Sequence, residues 1–568
     1  MKRILIVGGV AAGATAAARA RRISEEAEIT IIERGKDVSF ANCGLPYYIS
    51  RDIEKRSKLL LQTPAGFLKR YRVHVLTETE ATGIDRDKKL LSVTGPAGQS
   101  QLGYDALILA QGSMPIVPDI PGVASSNVFT LWTLSDMDRL ESFLEGHSPK
   151  TAVVVGGGFI GMEATEALSR RGVSTTVVEM QPTVMPQLDP ELGASIAKRL
   201  TSHGVRVMTG SGLSRILEAE RQVELSDGTR VPADCVLLSI GAKANLALAS
   251  SAGLEVGRSG GLVVDECMRT SDPSIYAAGD MVEVVQRVTG RKVRIPLAGP
   301  ANRQGRIAAS NALGIQMKYS GGFGTGVVRV FDTVVAFTGL TETAAISAGF
   351  DTGVAVVVKD HHAGYYPGAK EMVIKVVYDR ATSRLLGAQA IGEEGVEKRI
   401  DVLSVALSRS MTVGEMAELD LSYAPPFSSA NDPVNQAGFV AFNDVTGFSP
   451  LIGVRELQEI LADERSSQKY YVLDVRTPAE FESSHLEGAL NFPLDELREV
   501  VDEVPRSRPI IVHCKSGFRA HLALRILREK GFKEVRNLTG GYMMVEALGG
   551  FKTVDSGTPS APGACCGV

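Results

Sequence analysis

An apolar run in "RILIVGG", residues 3–9, breaks at Gly8 and Gly9, and the following "VAAGATAAARARRI" takes a helical pattern before the apolar "EITIIE" ends at Glu33. Strand, glycine turn, helix and strand predict a βαβ unit. The unit recurs as "KTAVVVGGGFIGMEATEALSRRG" and "VSTTVVE", ending at Glu179. Between the copies lie a strand leaving through a glycine turn, "YDALILAQGSMP", and the Pro-rich crossover "PIVPDIPG". After the second copy, "CVLLSIGA" and "TSDPSIYAAGDMVE" predict a return to the first domain, so the second domain is inserted in the first. From about residue 321 the texture becomes β-rich ("TGVVRVFDTVVAFTG", "EMVIKVVYD", "RLLGAQAIG") with one helical stretch, "EKRIDVLSVALSRS", which predicts an α+β domain. A small α/β pattern with strands "YYVLDVR" and "PIIVHC" begins near 452.

The boundaries that follow are 1–112 with 244–320, 113–243, 321–445 and 452–553, with 554–568 a flexible Gly/Ser/Pro-rich tail. Length agrees, since 568 residues exceed one hydrophobic core. A formal charge of −4 gives no electrostatic case for nucleic acid. Six cysteines, at 43, 235, 267, 514, 565 and 566, are too scattered for a secreted disulfide framework, so a reducing cytoplasm is expected. No apolar run approaches a membrane span, and the glycines and arginines after residue 7 argue for a strand and helix over a secretory leader.

Gly156, Gly158 and Gly161 form a full G-x-G-x-x-G between a strand and a helix, with Glu179 closing the next strand. Such glycines admit a pyrophosphate to the backbone, and the acid accepts from ribose hydroxyls while repelling a 2′-phosphate, which favours NADH while leaving NADPH open. The first copy keeps Gly8 and Gly13 but has Val10 at the middle position. Alone it is a weak signal, with a glycine turn that merely packs a helix on a sheet as the alternative; Glu33, the Ala110–Gly112 turn and Asp280 in "YAAGD" favour a dinucleotide, fitting FAD with Glu33 on the adenosine ribose and Asp280 toward the ribityl end.

This order of motifs resembles the two-dinucleotide-domain flavoproteins of the pyridine nucleotide disulfide reductase family. The resemblance implies an α/β protein with two Rossmann-like dinucleotide-binding domains, for FAD and NAD(P)H, then an α+β dimerisation domain that makes a homodimer. Most such reductases carry C-x-x-x-x-C. In "SFANCGLPYY" the second position is Tyr48, which resembles the single-cysteine branch containing coenzyme A disulfide reductases, persulfide reductases, NADH oxidases and NADH peroxidases. "YYPGA", "LSYAPPFSSAND" and "AGPANRQGR" resemble the coenzyme A reductases. That likeness implies that Tyr365 and Tyr423 reach Cys43 of the neighbouring subunit and assist proton transfer; ordinary interface aromatics are the alternative. Arg19 and Arg22 share a helix face, by themselves a solvated basic surface. The resemblance makes them phosphate ligands for coenzyme A, with Ser39 and Asn42 at its pantetheine end and Asn302, Arg303 and Arg306 contributed by the partner subunit. Cys43 must be a thiolate to attack sulfur, which nearby positive potential or a helix end favours.

In "VHCKSGFRA" Cys514 follows a strand and Arg519 closes a loop with four residues between them, one fewer than phosphatase loops hold. Such a loop turns backbone N–H groups on an anion, and the smaller one suits a persulfide. With "VLDVRTPAEFESSHLEGALNFP" and "LTGGY" it resembles a C-terminal rhodanese-like α/β domain, in which Asp474 and Arg476 are structural, Glu480 pairs locally and His485 packs. A metal site at His485, His513 and Cys514 lacks compact ligand spacing, and no metal is expected. Cys235 is expected in a core and His361 and His362 in a loop; Cys267 has no reactive context, and Cys565 and Cys566 belong to the tail.

The expectation is an enzyme passing NADH electrons through FAD to a sulfur substrate on Cys43, with Cys514 collecting sulfane sulfur and hydrogen sulfide released. Coenzyme A disulfide reduction, an NADH oxidase or peroxidase, and a flavin-based redox sensor are the alternatives.

Overall fold

Strand Arg3–Val7 is buried except at its first residue, because parallel neighbours flank it and helices cover the sheet. The structure is a computed structural model that describes residues 1–555. It divides into two units, Met1–Val184 with Leu200–Gly324, and Met185–Arg199 with the residues from Thr325 on.

In the first unit, one parallel sheet runs Ile275–Ala277, Ala106–Leu109, Arg3–Val7, Glu28–Ile32, Val73–Leu76. The late strand Ile275–Ala277 pairs with Ala106–Leu109, which makes the first nucleotide domain discontinuous along the chain. A second parallel sheet runs Arg206–Thr209, Ser174–Glu179, Thr151–Val155, Cys235–Leu238, Val128–Phe129. The antiparallel ribbon of Ser113–Pro115 with Ala242–Ala244 carries the chain into and out of this domain. Helix Ala11–Ile23 buries Ala12, Ala16, Ala17 and Ala20, whose small side chains let helix Ala298–Ala312 approach closely. At Gly305 a Cβ would lie 2.2 Å from the Ala12 carbonyl oxygen.

The second unit contains an antiparallel sheet, Gly326–Val330, Thr333–Gly339, Leu385–Gly392, Glu371–Asp379, Thr352–Asp360, and a parallel sheet, Leu451–Ile452, Val535–Leu538, Ile510–His513, Tyr471–Asp474, Leu490–Asn491. Val356 of the first of these sheets packs in one core with Ile452, Leu538 and Tyr542, and its N–H donates to Thr539 Oγ1 at 2.7 Å. The segment Met185–Arg199, expected within the second nucleotide domain, groups here. The reason is the fully buried Lys375, whose Nζ meets Asp189 at 2.9 Å, Glu191 at 2.5 Å and Glu342 at 2.7 Å. The C-terminal domain also runs past its expected end, because Thr553–Asp555 pairs with Ser484–Leu486. Cys565 and Cys566 lie outside the described residues. No helix among the described residues is long and apolar enough to cross a membrane.

Candidate functional site

The two glycine fingerprints have one geometry. Gly8 has φ +97° and Gly156 φ +102°, and a Cβ on either would lie within 2.4 Å of a carbonyl oxygen, of Ala110 and Ser239 respectively. Only glycine fits a turn so strained and so close to the next strand. The Cβ of a residue at Gly13 or Gly161 would collide with the Gly8 or Gly156 carbonyl, fixing where each helix begins. Helices Ala11–Ile23 and Phe159–Arg170, the latter opening at Gly158, start without a side-chain cap or an acid in the first turn. Helix Leu134–His147, by contrast, has a Thr133–Asp136 capping box. Two uncapped N-termini leave backbone N–H groups for an anion.

Glu33 accepts from Gly9 N and Gly35 N, both at 2.8 Å, and Glu179 accepts from Gly157 N and Gln181 N, both at 2.7 Å. Each carboxylate therefore holds its glycine turn, and each oxygen keeps a second lone pair for a ribose hydroxyl. At the same end of the first sheet, Ala110 N donates to Val7 O, Gly112 turns with φ +63°, and Asp280 accepts from Ser113 Oγ at 3.0 Å. Burial raises the Asp280 carboxyl, against that hydrogen bond. Gln111 Oε1 is buried beside this turn with no protein partner.

Cys43 is exposed in the turn Asn42–Gly44, just before helix Leu45–Ile49, and its N–H donates to Asn42 Oδ1 at 3.0 Å. Of the two expected aids the helix end is present, whereas the charges that act on the thiol are negative. Desolvation by the protein around the thiol pushes it up, and the Glu163 and Asp280 carboxylates push the same way, against a hydrogen bond from its own backbone N–H. Glu163, which the sequence reading did not single out, accepts from Tyr47 OH at 2.9 Å and is itself raised by burial. Ser39 is buried with φ +50° and donates from its N–H to Gly9 O, which puts it beside the first fingerprint.

Thr15 Oγ1 donates to Asn302 Oδ1 at 2.6 Å, and Arg19 Nε to Ser310 Oγ at 3.0 Å. The Arg19 guanidinium is lowered by desolvation, then by the charges of Arg306 and Arg22. Asn302 and Arg306 thus stand beside Arg19 and Arg22 of the same chain, which corrects the expectation that a second copy brings them. Gly305, by letting the helices approach, is the reason. Arg303 is exposed and folds back over Gly299.

In the second unit, Tyr365 OH and Tyr423 OH are 2.9 Å apart, and both rings are exposed. Cys514 Sγ accepts from Gly517 N at 3.1 Å in a loop held from behind. Tyr542 N donates to Cys514 O, Met543 N to Lys515 O and Asn537 Nδ2 to Gly517 O. A Cβ on Gly541 would lie 2.4 Å from Cys514 O, which is why a glycine precedes Tyr542. Glu480 keeps the expected local pairing, a capping box with Thr477, and also pairs across 39 residues with Arg519, at 2.7 and 2.8 Å. Asp474 grips Arg476, whose guanidinium lies 4.1 Å from the Tyr542 ring centre. His485 stacks on Phe481, His513 is buried against Tyr542, and Cys235 is buried in the second sheet.

The family described as pyridine nucleotide-disulphide oxidoreductase matches residues 2–305, over half of the chain. The chain belongs to this family. Its dimerisation domain matches 326–433, and a rhodanese-like domain matches 454–547. This pyridine nucleotide-disulphide oxidoreductase is 40% identical to the reduced CoADR-RHD of Bacillus anthracis, with TM-score 0.93 over 96% of this chain and 98% of that one. It is 38% identical to an NAD-dependent persulfide reductase from A. fulgidus, with TM-score 0.89 over 95% and 99%. Among curated relatives, it is 35% identical to the CoA-dependent NAD(P)H sulfur oxidoreductase of Pyrococcus abyssi, over 76% of this chain and 96% of that one. It is 33% identical to an NADH oxidase of Methanocaldococcus jannaschii, over 77% and 97%. Family membership implies FAD and NAD(P)H. The residues fit them, with two cradles that a Cβ would fill, two uncapped helix starts and an unpartnered Gln111 Oε1.

Proposed function

We propose that this chain reduces coenzyme A persulfide, polysulfide and coenzyme A disulfide with NADH, through the thiol of Cys43, and that Cys514 supplies sulfane sulfur. The observation that carries this reading is that both thiols are free. Tyr48 stands where a resident partner for Cys43 would be, so each thiol needs an external sulfur carrier. The names of the relatives from A. fulgidus and P. abyssi support it.

FAD and NADH, when bound, supply the electron pair. Gly8, Gly13 and Glu33 hold the first dinucleotide, and Gly156, Gly158, Gly161 and Glu179 the second. The Glu179 charge disfavours a 2′-phosphate, hence NADH over NADPH. Arg19, Arg22, Arg303, Arg306 and Asn302 take coenzyme A phosphates, with Asn42 near the thiol end. The Cys43 thiolate attacks the inner sulfur of the persulfide, forms a mixed disulfide with coenzyme A and expels hydrosulfide. Tyr365 and Tyr423 of a second copy deliver the proton to the departing sulfur. Two electrons then reopen the mixed disulfide, so the sum is CoA–S–SH + NADH + H⁺ giving CoA–SH + H₂S + NAD⁺. The matched dimerisation domain supports the homodimer, and the scattered thiols support a cytoplasmic setting.

The test is anaerobic NADH oxidation with sulfide release, comparing coenzyme A persulfide, coenzyme A disulfide and polysulfide. Cys43→Ser abolishes turnover of all three, whereas Cys514→Ser spares the disulfide and loses transfer from a sulfane donor to coenzyme A. Full sulfide release by Cys43→Ser sinks the reading, and turnover that needs oxygen or peroxide replaces it with an oxidase.

A further inference from the structure

Two loops carry the tyrosine pair, and neither is anchored by the tyrosines, whose rings are exposed. The first is 361–370, between strands Thr352–Asp360 and Glu371–Asp379; the second is 420–432, before helix Pro433–Val445. Between them lies an ion pair with almost no exposure, Arg399 at 1% and Asp432 at 2%. Arg399 Nη2 donates to His361 O at 2.7 Å and to Asp432 Oδ2 at 2.9 Å. Ser428, at 0% exposure, donates from Oγ to the same Asp432 oxygen at 2.7 Å. The other Asp432 oxygen accepts from Val434 N at 3.0 Å and caps the helix. Ala363 N closes the circuit on Ser428 O at 3.1 Å.

One guanidinium thus holds the backbone of the Tyr365 loop and, through Asp432 and Ser428, the backbone of the Tyr423 loop. A buried charged pair that binds main-chain carbonyls fixes position more than it adds stability, because its desolvation offsets much of its attraction. The 2.9 Å spacing of the two phenol oxygens depends on how the two loops stand to each other. A proton donor displaced by about 1 Å loses on the order of a hundredfold in rate.

We infer that Arg399, with Asp432 and Ser428, is the positioning group for the Tyr365–Tyr423 pair. This rests on the proposed role of the tyrosines in protonating the departing sulfur. Its signature is a loss confined to the sulfur-reducing half of the cycle. Reduction of the protein by NADH keeps its rate, because Arg399 touches neither fingerprint.

The test measures stopped-flow NADH reduction and steady-state coenzyme A disulfide turnover for Arg399→Lys and Ser428→Ala, each alone and with Tyr365→Phe, after sizing the assembly. Ser428→Ala removes one hydroxyl and keeps the backbone bond to Ala363, so it reports even where Arg399→Lys does not fold. Expected are kcat losses on the order of tenfold with little change in KM, unchanged reduction by NADH, and less than about twofold further loss in the Tyr365→Phe background, since coupled residues are not additive. The same proportional loss with and without Tyr365, or undiminished kcat in both single variants, overturns the positioning role while the tyrosine reading stands. Full turnover by Tyr365→Phe itself overturns both.

Discussion

Glu480 holds two guanidinium nitrogens of Arg519, at 2.7 and 2.8 Å, while its Oε2 also accepts from Thr477 N at 3.0 Å. The helix cap and the cysteine loop are therefore tied through one carboxylate. Burial alone raises this acid, but the Arg519 hydrogen bonds and the cap outweigh it and hold the group at about 2. A folded pKa below the ordinary value of about 4.3 means the tie contributes fully above that pH and is lost as pH falls through 2. Glu480→Gln is expected to cut sulfur transfer at Cys514 by on the order of tenfold, through a displaced Arg519. It should leave coenzyme A disulfide reduction unchanged and flatten the acid loss of stability in that window. Sulfurtransferase assays and acid unfolding curves check this; undiminished transfer shows that Arg519 needs no anchor.

Lys375 lies among Asp189, Glu191 and Glu342, and burial is outweighed by these three acids, so it stays charged. Lys375→Met strands the carboxylates, and a loss of about 3–5 kcal/mol is expected in thermal or denaturant unfolding. Without the ammonium the acids rise in pKa and take up protons in the folded state. The deficit therefore shrinks as pH falls from 8 to 5, because the folded variant binds more protons than the unfolded chain. A deficit independent of pH contradicts the assignment of charge at this site.

What the sequence made legible is what short stretches determine. The βαβ units and both fingerprints are local, since one strand, one turn and one helix start carry the signal. The Thr477–Glu480 capping spacing is legible for the same reason, and the local pair it predicts for Glu480 is present. Its bond to Arg519 is not legible, nor is the grouping of Met185–Arg199, set by a lysine 184 residues beyond Glu191. The acidity around Cys43 was hidden likewise, because Glu163 comes from the helix after the second fingerprint, 116 residues from Tyr47.

That acidity bears on the Cys43 thiol. Desolvation, Glu163 and Asp280 all favour the protonated form of Cys43. Glu163→Gln removes one negative charge and keeps a hydrogen-bond acceptor for Tyr47, so the pH profile of Cys43 alkylation should move to lower pH, the thiolate being easier to form. Mass spectrometry of the labelled Cys43 peptide across pH reads this directly. A profile that stays put, or moves up, removes Glu163 from the electrostatics of the thiol.

Glu179 has two roles that separate by substitution. Its oxygens anchor Gly157 and Gln181, and in the proposed function its charge meets the ribose of the second nucleotide. Glu179→Gln keeps an acceptor for one anchor and removes the charge, so the ratio of kcat/KM for NADH over NADPH should fall by on the order of tenfold or more, a unit charge near a phosphate being worth at least that much at intermediate dielectric. Glu179→Ala removes the charge and both anchors, so it shifts the ratio similarly while raising KM for both nucleotides through a loosened turn. Steady-state kinetics with the two cofactors distinguishes the roles. An unchanged ratio in both variants means that the preference lies elsewhere, and a KM unaffected in Glu179→Ala means the Gly157 turn holds without its acid.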